Sequence, residues 1–289
     1  MIIKFWGTRG SVPVPGKDTI KYGGNTPCVE VQSSSAELII LDGGSGIREL
    51  GNKLIENKSR REINIFISHY HWDHIQGIPF FLPLYDKNRK IIFHGLSSNG
   101  SEIEKILSVQ MQPEYFPVKI EEAKAEIEFR NLNPGDIYKV SNLSIETSNA
   151  NHSSPTLAYK ISEGNKSIVY MTDNEIHWND YPENLNLSNQ DDNIRRLVKF
   201  CSNCDYLIHD TMYDESLFKE KIGWGHSSNI SLAYFSIFAD IKNLVLFHYN
   251  PDYSDSKIDE MYEETCSLLK KKKSKINCIA AQEGMEINL

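Results

Sequence analysis

Three things are scarce in this chain of 289 residues: cysteine, uninterrupted apolar sequence and positive charge. Cysteine occurs five times, at Cys28, Cys201, Cys204, Cys266 and Cys278. An odd, thinly spread set in a chain this long excludes a disulfide-stapled scaffold, which crowds an even number of cysteines into a short secreted domain. Cys201 and Cys204 form a Cys-x-x-Cys, but no second pair completes a zinc ribbon, so the pair reads as two half-buried thiols where a helix runs into a strand. No apolar run approaches the ~20 residues that span a bilayer. The opening MIIKFWGTRGS reads as a strand rather than a signal peptide. A cytoplasmic protein with no membrane partner is the expectation. Acidic residues outnumber basic ones, giving a net charge of −8. A protein that grips long nucleic acid usually shows a basic face, because phosphate neutralisation drives that binding. The only basic run here is Lys270 to Lys273, with Lys275, at the end of a predicted helix, where cations suit the dipole. Long nucleic acid is therefore disfavoured as a partner. Internal repeats and low-complexity segments are also missing.

What is present is an ordinary globular balance, 40% hydrophobic and 24% charged. Short apolar runs alternate with helical patterns. Strands are expected at Ile2–Trp6, Cys28–Gln32, Leu38–Leu41, Ile63–Ser68, Lys90–His94, Glu126–Arg130, Leu143–Ser148 and Leu157–Ile161. Others are expected at Ser167–Thr172, Tyr206–His209, Leu244–Phe247, Ile276–Ala280 and Met285–Asn288. Helical periodicity marks Ile47–Glu56, Glu102–Gln110, Ile194–Cys201, Ile230–Ala239 and Lys257–Lys272. This alternation predicts layers of helix and sheet, an α/β class, in a single domain over residues 1–289. The Asn- and Asp-rich stretch Asp180–Asn193 reads as a surface loop rather than a linker. LDGGSGIRELG, which follows a strand and opens a helix, does not fit the GxGxxG spacing of a dinucleotide loop and reads as a tight strand-to-helix turn.

Nine histidines are present, and three of them, His69, His71 and His74, crowd into one segment with Asp73. The preceding INIFIS is strand-like, so the cluster sits at the C-terminal end of a buried strand. Alternation places His69 and His71 on one side. Asp73 and His74 then open a helix, with the carboxylate suited to its N-terminus. Two imidazoles from an extended segment, followed by a carboxylate and an imidazole from a turn, suit divalent metal, and zinc prefers such nitrogen and oxygen donors. A chance surface cluster of histidines is the bland alternative, and the spacing argues against it.

His69-x-His71-x-Asp73-His74 resembles the central motif of the metallo-β-lactamase superfamily. That family also places an Asp after an early strand, a lone His, a bridging carboxylate and a final His. Asp42 ends LIILD, His152 stands in NANHSSPTLAY, Asp173 ends SIVYMTD and His248 ends LVLFH. The resemblance covers nearly the whole chain and implies a four-layer αββα sandwich. It assigns one metal ion to His69, His71 and His152 and a second to Asp73, His74 and His248. Asp173 would bridge the two, and Asp42 would orient a ligand imidazole. Two divalent ions follow as cofactors, zinc first, with manganese or iron as alternatives. Asp rather than Cys at position 173 separates this chain from the true β-lactamases.

His226, in GWGHSSNIS, resembles the extra histidine of the phosphodiesterase branch, which includes tRNase Z and the cyclic phosphodiesterase of phosphonate degradation. GTRGS, YGGNTPCVEV, HWDHIQGIPFF and LFHYNPDYSD resemble a bacterial subgroup of small phosphodiesterase-like hydrolases. The resemblance implies a hydrolase in which a metal-bridging hydroxide attacks phosphorus, with Asp73 and His226 taking part in the chemistry. A positive site on an acidic chain favours a small anionic substrate, a cyclic or linear phosphodiester, over RNA. A homodimer is the assembly the branch suggests. A lactonase or thioesterase on the same fold is the first alternative, and a metal-binding sensor without turnover is the alternative of another class. A di-iron redox centre is weaker still, since this chain leaves no room for a flavin domain. His94 and His177 match no motif, and His209 reads as a hydrogen-bonded structural histidine. Asp210 and Tyr213 lie near the expected site without an assigned role. Residues 110–118, with Tyr115 and Phe116, read equally as a wall over the site or as a packed loop.

Overall fold

A computed structural model describes residues 1–57, 61–97, 103–179 and 185–289. The chain divides into two compact units. The first comprises residues 1–134 and 282–288, and the second residues 135–281 with Leu289. Each carries one seven-stranded mixed sheet.

The first unit contains β1 (Ile2–Gly7), β2 (Cys28–Gln32), β3 (Leu38–Leu41), α1 (Ile47–Glu56), β4 (Glu62–Phe66), α2 (Trp72–Ile75), β5 (Lys90–Leu96), α3 (Ile103–Gln110), β6 (Glu126–Leu132) and, from the end of the chain, β14 (Glu286–Asn288). Its sheet runs β14-β1-β2-β3-β4-β5-β6. Pairing is antiparallel as far as β3 and parallel from β3 to β6. β3 is buried along its whole length and β4 along all but its first residue. This is why LIIL reads as a continuous apolar run and INIF as one broken only by Asn64, the pattern of strands covered on both faces. The core under this sheet gathers Ile40, Ile65, Phe81 and Phe93 with Leu50 and Leu54 of α1.

The second unit contains β7 (Ile137–Val140), β8 (Leu143–Asn149), β9 (Leu157–Glu163), β10 (Lys166–Met171), α4 (Asp192–Cys201), β11 (Tyr206–Asp210), α5 (Glu215–Phe218), α6 (Asn229–Phe238), β12 (Asn243–Phe247), α7 (Asp255–Lys271) and β13 (Asn277–Ala280). Its sheet runs β13-β12-β11-β10-β9-β8-β7, with β10 to β13 parallel. In register, Met171 stands beside His209, and Asp210 beside Phe247. Neighbouring parallel strands therefore release their chains along one edge, the place where open α/β sheets put their ligands.

Most expected elements are present, shifted by a residue or two. α1 starts where expected, at Ile47, whereas α4, α6 and α7 start earlier than apolar periodicity suggests because polar caps begin them. Asp191 accepts from the Ile194 N–H, Ser228 from Ser231 and Ser254 from Lys257. β7 is an addition: it is a short edge strand with two exposed residues, so IYKV carries no core pattern to read. The expected strand to Ser68 stops at Phe66, because the Ser68 N–H is taken by the Asp42 carboxylate. Residues 180–184 of the expected loop, and the first residue of the expected helix from Glu102, lie outside the described residues. The rest of that stretch holds a short 3-10 turn at Leu187–Asn189 and the start of α4. Among the described residues, no helix is long and apolar enough to cross a membrane.

Candidate functional site

In the first unit, the chain leaves β3 and β4 side by side and the two exits are stitched together. Asp42, just past β3, has a left-handed backbone (φ 61°) and is fully buried. A non-glycine residue held there costs about 1–3 kcal/mol and persists where its surroundings fix it. Its carboxylate accepts from the Ser68 N–H at 2.7 Å, the Ser68 hydroxyl at 2.9 Å and His74 Nδ1 at 2.8 Å. With Nδ1 donating to Asp42, the uncharged form of the His74 ring carries its lone pair on Nε2, the form that ligates metal. That Nε2 stands 3.2 Å from Asp73 Oδ2. The ring centroid of His69 is 4.5 Å from His71 and 4.2 Å from His74. The Ser11 N–H donates to Asp73 Oδ2 at 2.7 Å, which brings the GTRGS segment to the cluster. Gly44 lets the turn after β3 close here, since a Cβ on it would sit 2.3 Å from the Asp73 carbonyl oxygen.

The second unit places a matching group at the ends of β10, β11 and β12. Asp173 (φ 51°) and His248 (φ 56°) are again left-handed, buried and just past a strand. His248 Nε2 is 3.3 Å from Asp173 Oδ2. His152, between β8 and β9, donates from Nδ1 to the Gly225 carbonyl at 2.8 Å and turns Nε2 towards Asp173 Oδ1 at 3.8 Å. His226 stacks on His248, with centroids 5.4 Å apart and planes 19° apart. Its Nδ1 is 2.9 Å from Asp210 Oδ2. Asp210 is fully buried and also accepts from the backbone N–H groups of Asn174 and Ser227.

Both donor sets suit a divalent cation. Each unit contains an imidazole Nε2 and a carboxylate oxygen 3.2–3.3 Å apart. That spacing is about the edge of a tetrahedron with ~2.0–2.1 Å ligand bonds. In the second unit, donor atoms of Asp173, His226 and His248 all lie within 4.8 Å of one another. Imidazoles and carboxylates held by outer hydrogen bonds are the chemistry of zinc, manganese or iron sites.

Asp210 is the residue that motif reasoning left without a role. The readable clue was its position: YLIHD ends a buried strand in an acid, as LIILD and SIVYMTD do. Glu175 had no such clue. Its carboxylate accepts from the N–H groups of Gly223 and Gly225 and so fixes the loop before His226.

The remaining histidines are held in other ways. His209 is buried between the Asn174 amide and the Asp210 carbonyl. His94 pairs with Asn64 at 2.9 Å and stacks on Phe66, and burial pushes its pKa down to about 3. His177 is exposed. Cys201 and Cys204 are fully buried rather than half-buried. Burial raises both thiols, Cys204 to about 12, which leaves them as packing groups. Phe116 packs edge-on against Phe80 at 5.3 Å, while Tyr115 is exposed.

Fold and side-chain clusters thus define an α/β protein with candidate metal donors at strand ends. The model of the beta-lactamase superfamily domain matches residues 38–249, and the chain belongs to that family. Ribonuclease Z of Picrophilus torridus is 28% identical, over 88% of this chain and 87% of its own. The metallo-beta-lactamase fold protein YhfI of Bacillus subtilis has a similar fold, with a TM-score of 0.72 at 17% identity and coverage of 99% and 98%. The short form of human tRNase Z does too, with a TM-score of 0.65 at 18% identity and coverage of 100% and 99%. The expected metallo-β-lactamase fold class is therefore present.

One expectation fails. Net charge argued against long nucleic acid, yet the curated relatives are ribonucleases Z. Whole-chain charge misled because attraction depends on the local field at a site, and a sum of −8 over 289 residues contains no such information.

Proposed function

We propose that this protein is a metal-dependent hydrolase of phosphodiester bonds and that its substrate is RNA. The observation that carries the reading is His226. It is held through Nδ1 by the buried carboxylate of Asp210 and stacked on His248, which fixes the plane of its ring. An imidazole so oriented stabilises or protonates a leaving oxygen, help typically worth ~10²–10⁴ in rate.

His69, His71 and His152 would hold one ion and Asp73, His74 and His248 a second, and Asp173 would add its carboxylate. Two bound divalent ions, zinc first, supply Lewis-acid charge stabilisation and a nucleophile at neutral pH. Asp42 holds the His74 ring by its Nδ1, and the Gly225 carbonyl does the same for His152. Asp73, beyond its ligand role, orients the attacking water. His226 delivers its proton from Nε2 to the departing oxygen while Asp210 stabilises the imidazolium. The ribonuclease Z relatives support RNA as the polymer cleaved.

The test is metal analysis of the purified protein, with parallel assays on RNA, bis(p-nitrophenyl) phosphate, a lactone and a thioester. Two equivalents of metal and preference for the phosphodiesters are expected. In His226→Ala, metal content should stay unchanged while RNA turnover falls by about 10²–10⁴. Preference for the lactone or thioester, or unchanged RNA turnover in the variant, would sink the reading. Loss of metal in the variant would instead make His226 a ligand.

A further inference from the structure

Between α5 and α6, residues 219–225 read Lys-Glu-Lys-Ile-Gly-Trp-Gly and end beside His226. The tip of this loop holds a tryptophan in solvent: Trp224 is 58% exposed. Large aromatic side chains usually bury their area, and one held out in water beside a candidate active site needs a reason.

Slack in the loop does not explain the exposure. Glu175, itself buried, accepts from the Gly223 N–H with both carboxylate oxygens, at 2.9 and 2.8 Å, and from the Gly225 N–H at 2.8 Å. The Gly225 carbonyl takes the Nδ1 hydrogen of His152 at 2.8 Å. Gly223 and Gly225 have φ of +89° and +85°, and a Cβ on Gly225 would lie 2.3 Å from His152 Nδ1. Two anchored glycines therefore clamp the backbone on either side of Trp224. Lys221 places its ammonium 3.8 Å from the ring centroid, a cation–π contact that steadies the ring and puts positive charge beside it. Lys219 is exposed on the same loop. Two residues of chain span at most about 7 Å, so Trp224 lies within a nucleotide's reach of His226.

We propose that Trp224 is a base-binding subsite, on which a nucleobase next to the scissile phosphate stacks while Lys221 attends the backbone. This rests on the RNA reading above. A fixed, exposed aromatic ring with a neighbouring ammonium is the arrangement by which single-stranded nucleic acid is held without regard to sequence, because every base has a π-face. A preorganised ring also loses little side-chain entropy when the base arrives.

The experiment compares kcat/KM of the metal-loaded wild type, Trp224→Ala and Trp224→Phe on two substrates. One is a short single-stranded RNA. The other is the same RNA made abasic at the nucleotides flanking the cleaved bond. Trp224→Ala should lose about 5- to 150-fold on the intact RNA. It should match the wild type within about twofold on the abasic one, since a coupling disappears when either partner is removed. Trp224→Phe should retain most of the activity. An equal loss on both substrates, or no loss on intact RNA, overturns the stacking role while RNA cleavage itself stands. A wild type that hydrolyses bis(p-nitrophenyl) phosphate but neither RNA overturns the RNA reading and the subsite with it.

Discussion

Replacing Asp210 with Asn removes one charge and almost nothing of the side chain's shape. The carboxylate receives three hydrogens: Oδ2 takes His226 Nδ1 at 2.9 Å and the Asn174 N–H at 3.1 Å, and Oδ1 takes the Ser227 N–H at 2.9 Å. An amide has one acceptor oxygen and one donor nitrogen, so it cannot accept on both sides. Turned with oxygen towards Ser227, it points NH₂ at His226 and forces the ring into the tautomer that accepts at Nδ1. Turned the other way, it sets NH₂ against the Ser227 N–H. In both cases the part-buried imidazolium loses its fully buried counter-charge. The lost acid catalysis should lower kcat on RNA by about 10²–10⁴. Exchanging a charge-assisted hydrogen bond for a mismatched one should also cost stability, on the order of 1.5–3 kcal/mol. The assay is a pair of substrates. RNA releases a poor alkoxide leaving group that needs the proton, whereas bis(p-nitrophenyl) phosphate releases a phenolate that departs without it. RNA cleavage should therefore fall much further than aryl ester hydrolysis, with metal content unchanged. Equal losses on the two substrates, or an RNA rate near wild type, would refute the claim that Asp210 acts through His226.

Other perturbations probe the supports. Asp42→Ala strips the acceptor from His74 Nδ1 and from both Ser68 donors. Metal affinity, measured by competition with a chelator, should weaken by about 10–100-fold, as removal of such outer partners does; an unchanged affinity would show that the His74 ring is held without Asp42. His94 is buried and its pKa lowered to about 3, so in the folded state it stays neutral where the unfolded chain, near 6.5, takes up a proton. The unfolded state binds more protons between those values, so this stability is present above pH 6.5 and drains away as pH falls towards 3. From pH 6.5 to 5 the loss is about 2 kcal/mol. His94→Gln should flatten the fall in the urea midpoint over that range relative to the wild type, and parallel curves would remove His94 as the cause.

Much of the molecule is written locally. LIIL and LVLF are apolar throughout, and INIF is broken only by Asn64, because they lie in parallel stretches of sheet covered on both faces, and apolar content is something a sequence displays directly. The donors stand at the ends of those runs, so Asp42, Asp173 and His248 could be picked out without coordinates. The periodicity of α1 and α7 is equally plain, and α1 runs from Ile47 to Glu56 as expected, whereas α7 starts early because a cap such as Ser254 depends on one polar contact rather than on a pattern.

The sequence by itself therefore determined the kinds of donor present and the strand ends that carry them, because both follow from neighbours within a few residues. Only the tertiary structure decided which groups act on one another. That Asp210 holds His226, that Glu175 clamps the glycines around Trp224, and that the Ser11 N–H reaches Asp73 each depends on which strands lie side by side and how the loops between them return. Such adjacency is set by burying the apolar faces of whole sheets, a sum over many residues that no short segment encodes. Charge has the same limitation: a total of −8 is a property of the composition, whereas attraction of a polyanion depends on a few groups brought together by the fold.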